Sequence, residues 1–547
     1  MNLLETFDGL IGSWRDVFPQ TRTFQRARRL VFGLLVSVRR LPSVAGRPLA
    51  ADGIRRMHLT SNAICATGRQ FVDWTADYRV CSRSPWNPHR LFDPIFDHLP
   101  QLLASPGAPV RMALDDTMCK KSSARIPGVS MGRDPMSPPF HVNLCYGLRF
   151  VQASILVTST QADGPARALP VRFDFAPPAK KPKQNKPKKS ADAISAQPQS
   201  PVPGGAASDS PPSTGPLQTS PAADPEGEKQ KQEWDAKWQA YKKEHKLRRL
   251  PLAGLNAIRS VRESLNQRPE TCQRILIVSG DGSYTTRDVV RNLPALTTYI
   301  GRIRKDAKLH YPLEAPAGKS AGRPRRYGAE APTPEQILRD DSIPVMEVRC
   351  FAAGKFHDIP VKVLRGVYWR KAGVDVPIQV IVIKPLAYRL RKGSKLLYRK
   401  PAFLICTDSN MDLQALVQDY VYRWEIECNH RDEKSLLGVA QGQVWNRHAV
   451  QRLPQLQVAS YSLLLLASLL SSGFQRTADY LPLPKWRRQS ARPSLLDLLN
   501  LLRNQIFARG VDAPVVSFDD FASAAVPPEL KSSKLPLAAE TLTTVAA

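Results

Sequence analysis

ILIVSGDGS, residues 275–283, opens with a continuous apolar run and leads directly into Asp281. Apolar residues at consecutive positions, rather than at alternate ones, are typical of a strand that is buried on both faces of a sheet. Asp281 then stands at the carboxyl end of that strand, next to the crevice where α/β sheets bind ligands. The stretch therefore predicts an α/β domain with a polar site at one edge of its sheet.

A second strand-like segment, VRMALDDT at 110–117, also leads into acidic residues. Its apolar residues alternate, and the residues that follow are polar, so we expect the strand to end at Asp115. Because side chains alternate across a strand, Ala113 and Asp115 share one face and Asp116 points to the other. An aspartate often closes a strand as a turn residue, so neither strand alone identifies a site.

The stretch DYVYRWEIECNHRDEKSLLG, at 419–438, carries a more specific pattern. Tyr420, Arg423, Glu427 and Lys434 are spaced Y-x2-R-x3-E-x6-K, and on a single helix they fall within an arc of about 60°. An i, i+4 salt bridge would explain Arg423 and Glu427 but neither of the other two residues. The pattern therefore predicts a polar functional face on one long helix.

The charge of the chain favours nucleic acid as its partner. Lys and Arg number 78 against 48 Asp and Glu, a formal net charge of +30. Such an excess destabilises a compact chain unless a polyanion shares its surface, and neutralised DNA phosphates release counterions. A ribosome-associated or membrane-surface protein is the alternative that charge alone leaves open.

The cysteines and the apolar segments favour a cytoplasmic protein. The eight cysteines contain no CxxC pair, which argues against a zinc ribbon and a disulfide scaffold and suits a reducing compartment. The first residues do not have the pattern of a signal peptide. The longest apolar stretch, Val458–Leu470, is too short to cross a bilayer and is expected to be a buried helix. No membrane association is predicted.

The composition divides the chain into segments of different character. The N-terminal segment is helical by periodicity and rich in arginine, which makes it a DNA-binding candidate, although a solvated helical face would look similar. Its flanking arginines are Arg26, Arg28, Arg29, Arg39, Arg40, Arg55, Arg56 and Arg69. Beyond this segment, Phe140–Leu148 and Val151–Thr158 are two strand-like runs, and Trp234, Trp238 and Tyr241 fall on one helical stripe. Four more strand-like runs, VMEVRCFA, FHDIPVKVLRGVYW, VPIQVIVIKP and AFLICT, follow between about 301 and 405.

The N-terminal helical domain is predicted to cover 1–104. A catalytic domain follows in two parts, 105–176 and 229–300, separated by a disordered Lys/Pro/Ser-rich linker at 177–228. A β-rich insertion is predicted at 301–405, the C-terminal helices of the catalytic domain at 406–475, with long helices near 411–436 and 448–472, and a last helix with a loose tail at 476–547.

These motifs together resemble the YREK group of insertion-sequence DDE transposases, which includes the insertion-sequence-four-like enzymes. The resemblance covers about 105–475 and implies a ribonuclease-H-like α/β catalytic domain, a mixed sheet flanked by helices. In that group the first Asp ends the first strand in a D-x-T setting, which Asp115 and Thr117 match. The second Asp ends the fourth strand, which Asp281 matches, and the Glu lies on a late helix, as Glu427 would. Many members carry a β-rich insertion before the Glu, but the long linker between the two aspartates departs from the pattern.

By this resemblance the chain is an enzyme that cleaves transposon ends and transfers the strands to target DNA. Asp115, Asp281 and Glu427 would be catalytic and would ligate two Mg²⁺ ions, or Mn²⁺ in their place, because hard cations need oxygen donors. The side chains of Tyr420, Arg423 and Lys434 would then contact phosphates. The implied partner is double-stranded DNA, bound by a homodimer on paired ends in the prokaryotic nucleoid.

The remaining polar residues near the motifs leave alternatives open. Lys120 and Lys121 follow the first Asp and are predicted to reach the same phosphates, although a solvated loop is an equal explanation. His141 and His430 have no partner at metal-ligand spacing, so structural roles are expected for both. A ribonuclease-H-fold nuclease without strand transfer, and a catalytically silent DNA-binding protein derived from a transposase, remain as other functions.

Overall fold

The structure is a computed structural model that divides the chain into two units. Residues Pro178–Arg249 form one unit, and the remainder of the chain forms the other. The residues that the structure describes are 2–37, 59–71, 73–134, 137, 140–159, 164–182, 225–313, 325–373, 376–391, 393–439, 441–483 and 492–508. Most of the predicted linker, residues 183–224, lies outside them.

The N-terminal segment is helical, as its periodicity predicts. Its helices are α1 (Leu3–Gly12), α2 (Thr21–Val36), α3 (Thr60–Ala66), α4 (Thr75–Ser82) and α5 (Asp93–Leu102). Apolar side chains from these helices join the main hydrophobic core, where the buried Trp14 indole donates to the carbonyl of Leu91 at 2.9 Å. Four of the predicted arginines, Arg39, Arg40, Arg55 and Arg56, lie outside the described residues.

The rest of the chain alternates strands and helices, of which α6 (Pro225–Leu247) belongs to the smaller unit and the others to the larger one. The first half contains β1 (Val110–Lys120), β2 (Ser130–Arg133), β3 (Leu144–Thr158), β4 (Ala166–Phe175), α6 (Pro225–Leu247), α7 (Leu250–Asn266), β5 (Leu276–Gly280), α8 (Arg287–Val290) and β6 (Thr297–Arg302). The second half contains β7 (Leu309–His310), β8 (Glu330–Ala331), α9 (Pro334–Arg339), β9 (Met346–Ala352), β10 (Lys355–Trp369), β11 (Ile378–Ile383), β12 (Ala387–Tyr388), β13 (Leu397–Tyr398), β14 (Ala402–Cys406), α10 (Leu413–Tyr422), α11 (Trp424–Ser435), α12 (Ala449–Ser472) and α13 (Leu495–Ala508).

The sheet is mixed and flanked by helices, so the predicted α/β class is confirmed. Its order is β2-β3-β1-β5-β6-β14-β11-β10-β7-β8, with β4 also paired to β3 and β9 to β10. Strand β3 runs antiparallel to β1, whereas β5 is parallel to β1 and β6 is parallel to β5. Every residue of β5 is buried, as its apolar sequence indicates.

Two strand predictions are wrong in their boundaries. The sequence suggested separate strands at Phe140–Leu148 and Val151–Thr158, but a single strand, β3, covers 144–158. It continues because its first part pairs with β2 while most of its length pairs with β1, so no turn interrupts the ladder. Strand β4, which pairs with the second part of β3, was not predicted.

The predicted β-rich region extends the central sheet. Its four predicted strands are present as β9, β10, β11 and β14. Strand β14 pairs antiparallel with β6 and with β11, so these strands continue the sheet that begins at β1. A short helix, α9, begins with a capping box between Thr333 and Gln336 and was not predicted.

The two faces of the sheet pack against different helices. Met112 and Leu114 of β1 belong to the core that includes α7 and α12. Ala113, between them, contacts Tyr422 and Ile426 in a separate small cluster on the other face, where α10 and α11 lie. Successive side chains of β1 therefore pack against different helical layers, one on each face of the sheet.

Helix α12 is the apolar segment that the sequence assigned to a buried helix. Among the described residues it alone is long and apolar enough to cross a membrane, and 94% of its apolar window is buried inside the fold. That burial is typical of the core helix of a soluble protein. The eight cysteines all lie in described regions and form no disulfide bond.

The smaller unit contains α6, a helix without a buried residue among those whose exposure is described. Its aromatic residues follow one another along the helix, with ring centroids 5.9 Å apart for Trp234 and Trp238 and 5.3 Å for Trp238 and Tyr241. The same stripe was recognised in the sequence.

Candidate functional site

The parallel pairing of β1 and β5 brings the first two predicted aspartates together. The register pairs Leu114 of β1 with Gly280 of β5, and Asp115 and Asp281 are the residues that directly follow them. Neighbouring strands lie about 4.8 Å apart, so these two residues leave the paired region side by side. Both oxygens of Asp281 accept hydrogen bonds from Ser283, from its backbone nitrogen at 2.8 Å and its hydroxyl at 3.2 Å.

Asp115 does not end its strand, contrary to the sequence prediction. Strand β1 continues to Lys120 because β3 pairs with it throughout, from Arg111 to Lys120. What ends beside Asp115 is the parallel partner β5. The crevice at this position is therefore created by the end of a neighbouring strand.

Alternate residues of β1 face α10 and α11. Arg111 Nε lies 2.6 Å from Asp419 Oδ1 on α10, and Ala113 packs against the same helix pair. Two residues later, Asp115 Oδ2 lies 3.6 Å from a guanidinium nitrogen of Arg423. The parity argued from sequence thus holds, and it directs Asp115 towards the helices that carry the Y-x2-R-x3-E-x6-K motif.

The motif occupies two helices instead of the single one predicted for 411–436. Tyr420 lies in α10, and Glu427 and Lys434 lie in α11. Arg423 is the junction, where two hydrogen bonds span three residues: Arg423 N donates to Tyr420 O and Ile426 N donates to Arg423 O. The backbone of Arg423 stays right-handed helical, so the interruption is one tight turn. The four side chains therefore do not share one continuous helical stripe.

Arg423 connects the motif to the sheet. One guanidinium nitrogen contacts Glu427 Oε1 at 2.9 Å, while the other faces Asp115. Its planar group also lies 5.9 Å from the ring of Tyr420. Burial raises the pKa of the Tyr420 hydroxyl above its ordinary value, although the charge of Arg423 acts in the opposite direction. The guanidinium of Arg423 therefore lies between the carboxylates of Asp115 and Glu427, the first and third of the predicted acids.

Helix α11 is held in place by a buried asparagine. Asn429 Nδ2 donates to Ser154 Oγ on β3 and to the carbonyl of Ala168 on β4, both at 3.2 Å. Its Oδ1 accepts from the hydroxyl of Tyr461 on α12 at 3.0 Å. This amide connects two strands and two helices, which fixes the position of Glu427 two residues earlier.

The acidic residues at this edge carry an excess of negative charge. Burial, followed by the charge of Asp115, raises the pKa of Asp116 to about 6, and Asp281 contributes in the same direction. Burial also raises the pKa of Asp115, against the lowering effects of His430 and Arg423. Burial is thus the main cause of both raised pKa values, and the neighbouring carboxylates add to it at Asp116.

The donor chemistry suits a hard divalent cation. Carboxylate oxygens are the ligands that Mg²⁺ takes in proteins, and Asp115, Asp281 and Glu427 supply them from two strands and a helix. Within the described part of the chain, however, no group of three or more His, Cys, Asp or Glu side chains is arranged to hold a metal ion as it stands. Because Arg423 lies between Asp115 and Glu427, it would have to turn away for the carboxylates to converge.

The three predicted lysines lie towards the far end of β1. Burial raises the pKa of the Cys119 thiol to about 11, and the charges of Lys434 and Lys121 act in the opposite direction. Both ammonium groups are therefore near that residue. Lys120 forms a salt bridge with Asp134 at 2.6 Å and is half exposed. Lys121 is buried, and its ammonium group donates to the carbonyl of Gly442. This placement supports a phosphate contact by Lys434 or Lys120 better than one by Lys121.

Two residues at the acidic cluster were not selected from the sequence. The charge of His430 is the largest opposing influence on the raised pKa of Asp115, and its Nδ1 lies 3.4 Å from Glu433. Tyr284 is fully buried, and the carboxylate of Asp116 helps to raise its pKa well above the ordinary value. In the sequence, the position of His430 three residues after Glu427 was the signal that could have assigned it to the acidic cluster. His141, the other histidine left out of the site, is exposed.

No family model and no curated protein matches this sequence.

Proposed function

We propose that this chain is a DDE-type DNA transposase, which cleaves the ends of a mobile element and joins them to target DNA. The observation that carries the proposal is that Asp115 and Asp281 directly follow the paired residues Leu114 and Gly280, while Arg423 contacts both Asp115 and Glu427. These are the three acids that the resemblance selects. They come from segments far apart in sequence, and their placement at one edge of the sheet is not required by the local pattern of any one of them.

The proposed family of the catalytic fold is ribonuclease-H-like. In the resembling transposases the first Asp belongs to the first strand and the second follows the fourth. Here Asp115 lies in β1, and Asp281 follows β5, the fourth strand of the sheet if the four-residue β2 is set aside. Glu427 lies on a later helix that packs on β1 and β4. The mixed sheet with helices on both faces supports the same family.

The chemistry follows from the charges of these residues. Asp115, Asp281 and Glu427 would hold the metal ions, whose charge would offset the repulsion that, after burial, raises the pKa of Asp116. When bound, two Mg²⁺ ions lower the pKa of the attacking water or 3′-hydroxyl and stabilise the leaving oxygen. Arg423, no longer needed between two carboxylates, would turn to a phosphate beside the scissile bond. Tyr420 and Lys434 would hold neighbouring phosphates.

The deciding experiment uses labelled duplexes that carry the DNA flanking the gene, incubated with protein and Mg²⁺. We expect cuts at the ends of inverted repeats, and none with EDTA or with Asp115→Asn. Asp306→Asn is the matched control, because Asp306 is an exposed surface partner of Arg304. Metal-independent cutting, or full activity of Asp115→Asn, would contradict the proposal.

A second arm separates the transposase from a nuclease of the same fold. A supercoiled plasmid is added as target, and joined products are measured on a gel. The transposase proposal expects end DNA covalently joined to the plasmid. Efficient cleavage without joining would reassign the protein to the nuclease alternative, and end binding without cleavage would reassign it to a catalytically silent DNA-binding protein.

The proposed phosphate contacts predict a change that is independent of sequence. Arg423→Ala and Lys434→Ala should each weaken binding of every duplex and reduce the slope of log K against log salt by about one. A change in the preferred end sequence would contradict this role.

A further inference from the structure

The N-terminal helices contain a basic cleft far along the chain from the acidic cluster. A cavity of about 250 Å³ lies between the start of α2 and the second half of α4. Its polar lining comes from Gln20, Thr23, Arg26, Arg79, Arg83 and Ser84. Three arginines thus border one concave surface.

The three guanidinium groups have no protein partner within the part of the chain that the structure describes. Neither a hydrogen bond nor a salt bridge joins Arg26, Arg79 or Arg83 to an acceptor there, whereas Arg28 and Arg29 on the same helix pair with acids. Unpaired arginines that face one cleft repel one another, so their arrangement is stable only in water or around an anion.

The acids near the cleft do not neutralise it. Asp77 is buried, and its nearest partner is Arg29, at 3.8 Å. Asp73 is exposed and accepts the backbone N–H of Thr75 at 2.9 Å. The hydrogen bonds from Thr75 are the main cause of the lowered pKa of Asp73, and the charges of Arg79 and Arg26 contribute less in the same direction.

The backbone at the cleft adds to its positive potential. Gln20 is the residue before the first turn of α2, and its side chain does not cap the helix. The 16-residue helix therefore directs unsatisfied N–H groups and the positive end of its dipole to the same place as Arg26. The helix end reinforces the arginine cleft and is not the basis for it.

The net charge of the chain favours a polymer over a small anion as the occupant of the cleft. Lys and Arg number 78 against 48 Asp and Glu, a formal net charge of +30, and such an excess is stabilised by a polyanion that shares the surface. The exposed aromatic residues Trp74 and Tyr78 lie on the face of α4 opposite to the one that lines the cleft, so they are not part of it.

We infer that this cleft binds a backbone phosphate of duplex DNA, with Arg79 and Arg83 as its outer contacts and Arg26 beneath them. Planar guanidinium groups bind phosphate oxygens through two parallel hydrogen bonds, which suits a cleft bordered by three arginines. The inference deepens the proposed function, since it assigns a DNA contact to a region separate from the acidic cluster, and it rests on that function for the identity of the ligand.

The test measures binding of the full chain to a labelled 30-base-pair duplex of arbitrary sequence, in EDTA, over a range of NaCl concentrations. The double variant Arg79→Gln/Arg83→Gln should bind roughly tenfold more weakly and lower the salt slope by about 1.8. Its matched control is Arg304→Gln/Arg339→Gln, which removes two exposed arginines that are paired with acids. The control should leave the slope unchanged.

A slope equal to that of the unmodified chain would overturn the inference. Displacement of the duplex by micromolar inorganic phosphate would also overturn it, because the cleft would then be a small-anion site. These outcomes are distinct from failure of the proposed function. If the cleft inference alone is wrong, end cleavage persists while the slope is unchanged; if the function alone is wrong, the arginine-dependent slope persists without any cleavage.

Discussion

Two arginine–aspartate contacts connect the same face of β1 to α10 and the junction that follows it, and they differ in charge balance. Arg111 and Asp419 lie 2.6 Å apart, and each forms its ion pair with the other. Four residues along the strand, Arg423 lies 3.6 Å from Asp115 and is also paired with Glu427. The first contact is a one-to-one ion pair, whereas in the second a single arginine is shared between two carboxylates.

The comparison separates a contact that holds the fold from one that, under the proposed function, would change when metal binds. A buried ion pair fixes the helix to the strand, and removal of one partner leaves an uncompensated charge. A cluster with excess acid destabilises the folded chain until a cation arrives. Arg111 of the structural ion pair and Asp115 of the proposed functional cluster therefore lie four residues apart on one face of β1.

The largest expected effect distinguishes the two neighbouring aspartates of the cluster. Asp115→Asn should reduce Mg²⁺-dependent cleavage of end DNA by about a thousandfold or more, because a metal ligand is lost. Asp116→Asn should retain measurable activity, since Asp116 points to the other face of β1. Both variants are assayed side by side on labelled ends. An inactive Asp116→Asn beside an active Asp115→Asn would reverse the assignment.

The next effect concerns stability at the two contacts. Asp419→Ala should lower the free energy of unfolding by about 3–5 kcal/mol, because Arg111 loses its partner at a mostly buried position. Asp115→Asn should leave it equal or higher in metal-free buffer, since one charge leaves a crowded cluster. Urea unfolding measures both. Asp306→Ala is the exposed control, with an expected change within about 1 kcal/mol. Equal losses at both sites would remove the distinction.

Metal addition should affect only one of the two regions. Mg²⁺ at about a hundred times its dissociation constant should stabilise the chain by about 2.7 kcal/mol. The increase should disappear in Asp115→Asn/Asp281→Asn and persist in Asp419→Asn. Thermal unfolding with and without EDTA provides the measurement. An increase that survives in the first variant would locate the metal elsewhere.

The smallest expected effect is a dependence on pH in metal-free buffer. The pKa of Asp116 is about 6 in the folded chain and about 4 when unfolded. A raised folded pKa means that its stabilising contribution is complete below about pH 4 and is lost as the pH rises through about 6. Asp116→Asn should therefore gain on the order of 1–2 kcal/mol over the unmodified chain between pH 4 and 7. Parallel stability curves would contradict the charge crowding.

The sequence predicted features that depend on local periodicity. The alternation of 110–117 identified the face of Asp115, and the apolar run of 275–283 identified a strand buried on both sides, because side-chain direction in a strand is set within a few residues. The sequence did not predict that β1 continues past Asp115. That continuation depends on pairing with β3, which is specified by a partner some 30 residues later.

The local sequence pattern also could not predict the helix junction at Arg423 or the residues that surround the acidic cluster. No Pro or Gly marks the interruption between α10 and α11, so the periodic pattern reads as one helix. The influence of His430 on Asp115 could not be predicted, because Asp115 belongs to a strand more than 300 residues earlier. Residues that meet only across elements leave no signature at fixed spacing.

The link from β14 to α10 has a consequence for the order in which the protein becomes complete. Gln379 on β11 donates to the carbonyls of Asp408 and Met411, and Thr407 bonds to Tyr299 on β6, so this link is fastened to the later strands of the sheet. Glu427 follows Asp281 by 146 residues, and its position relies on strands made in that interval. During synthesis on the ribosome the chain thus carries its first two carboxylates long before the third has a place to dock. For an enzyme of the proposed kind, an unfinished chain would therefore lack one of its three catalytic acids.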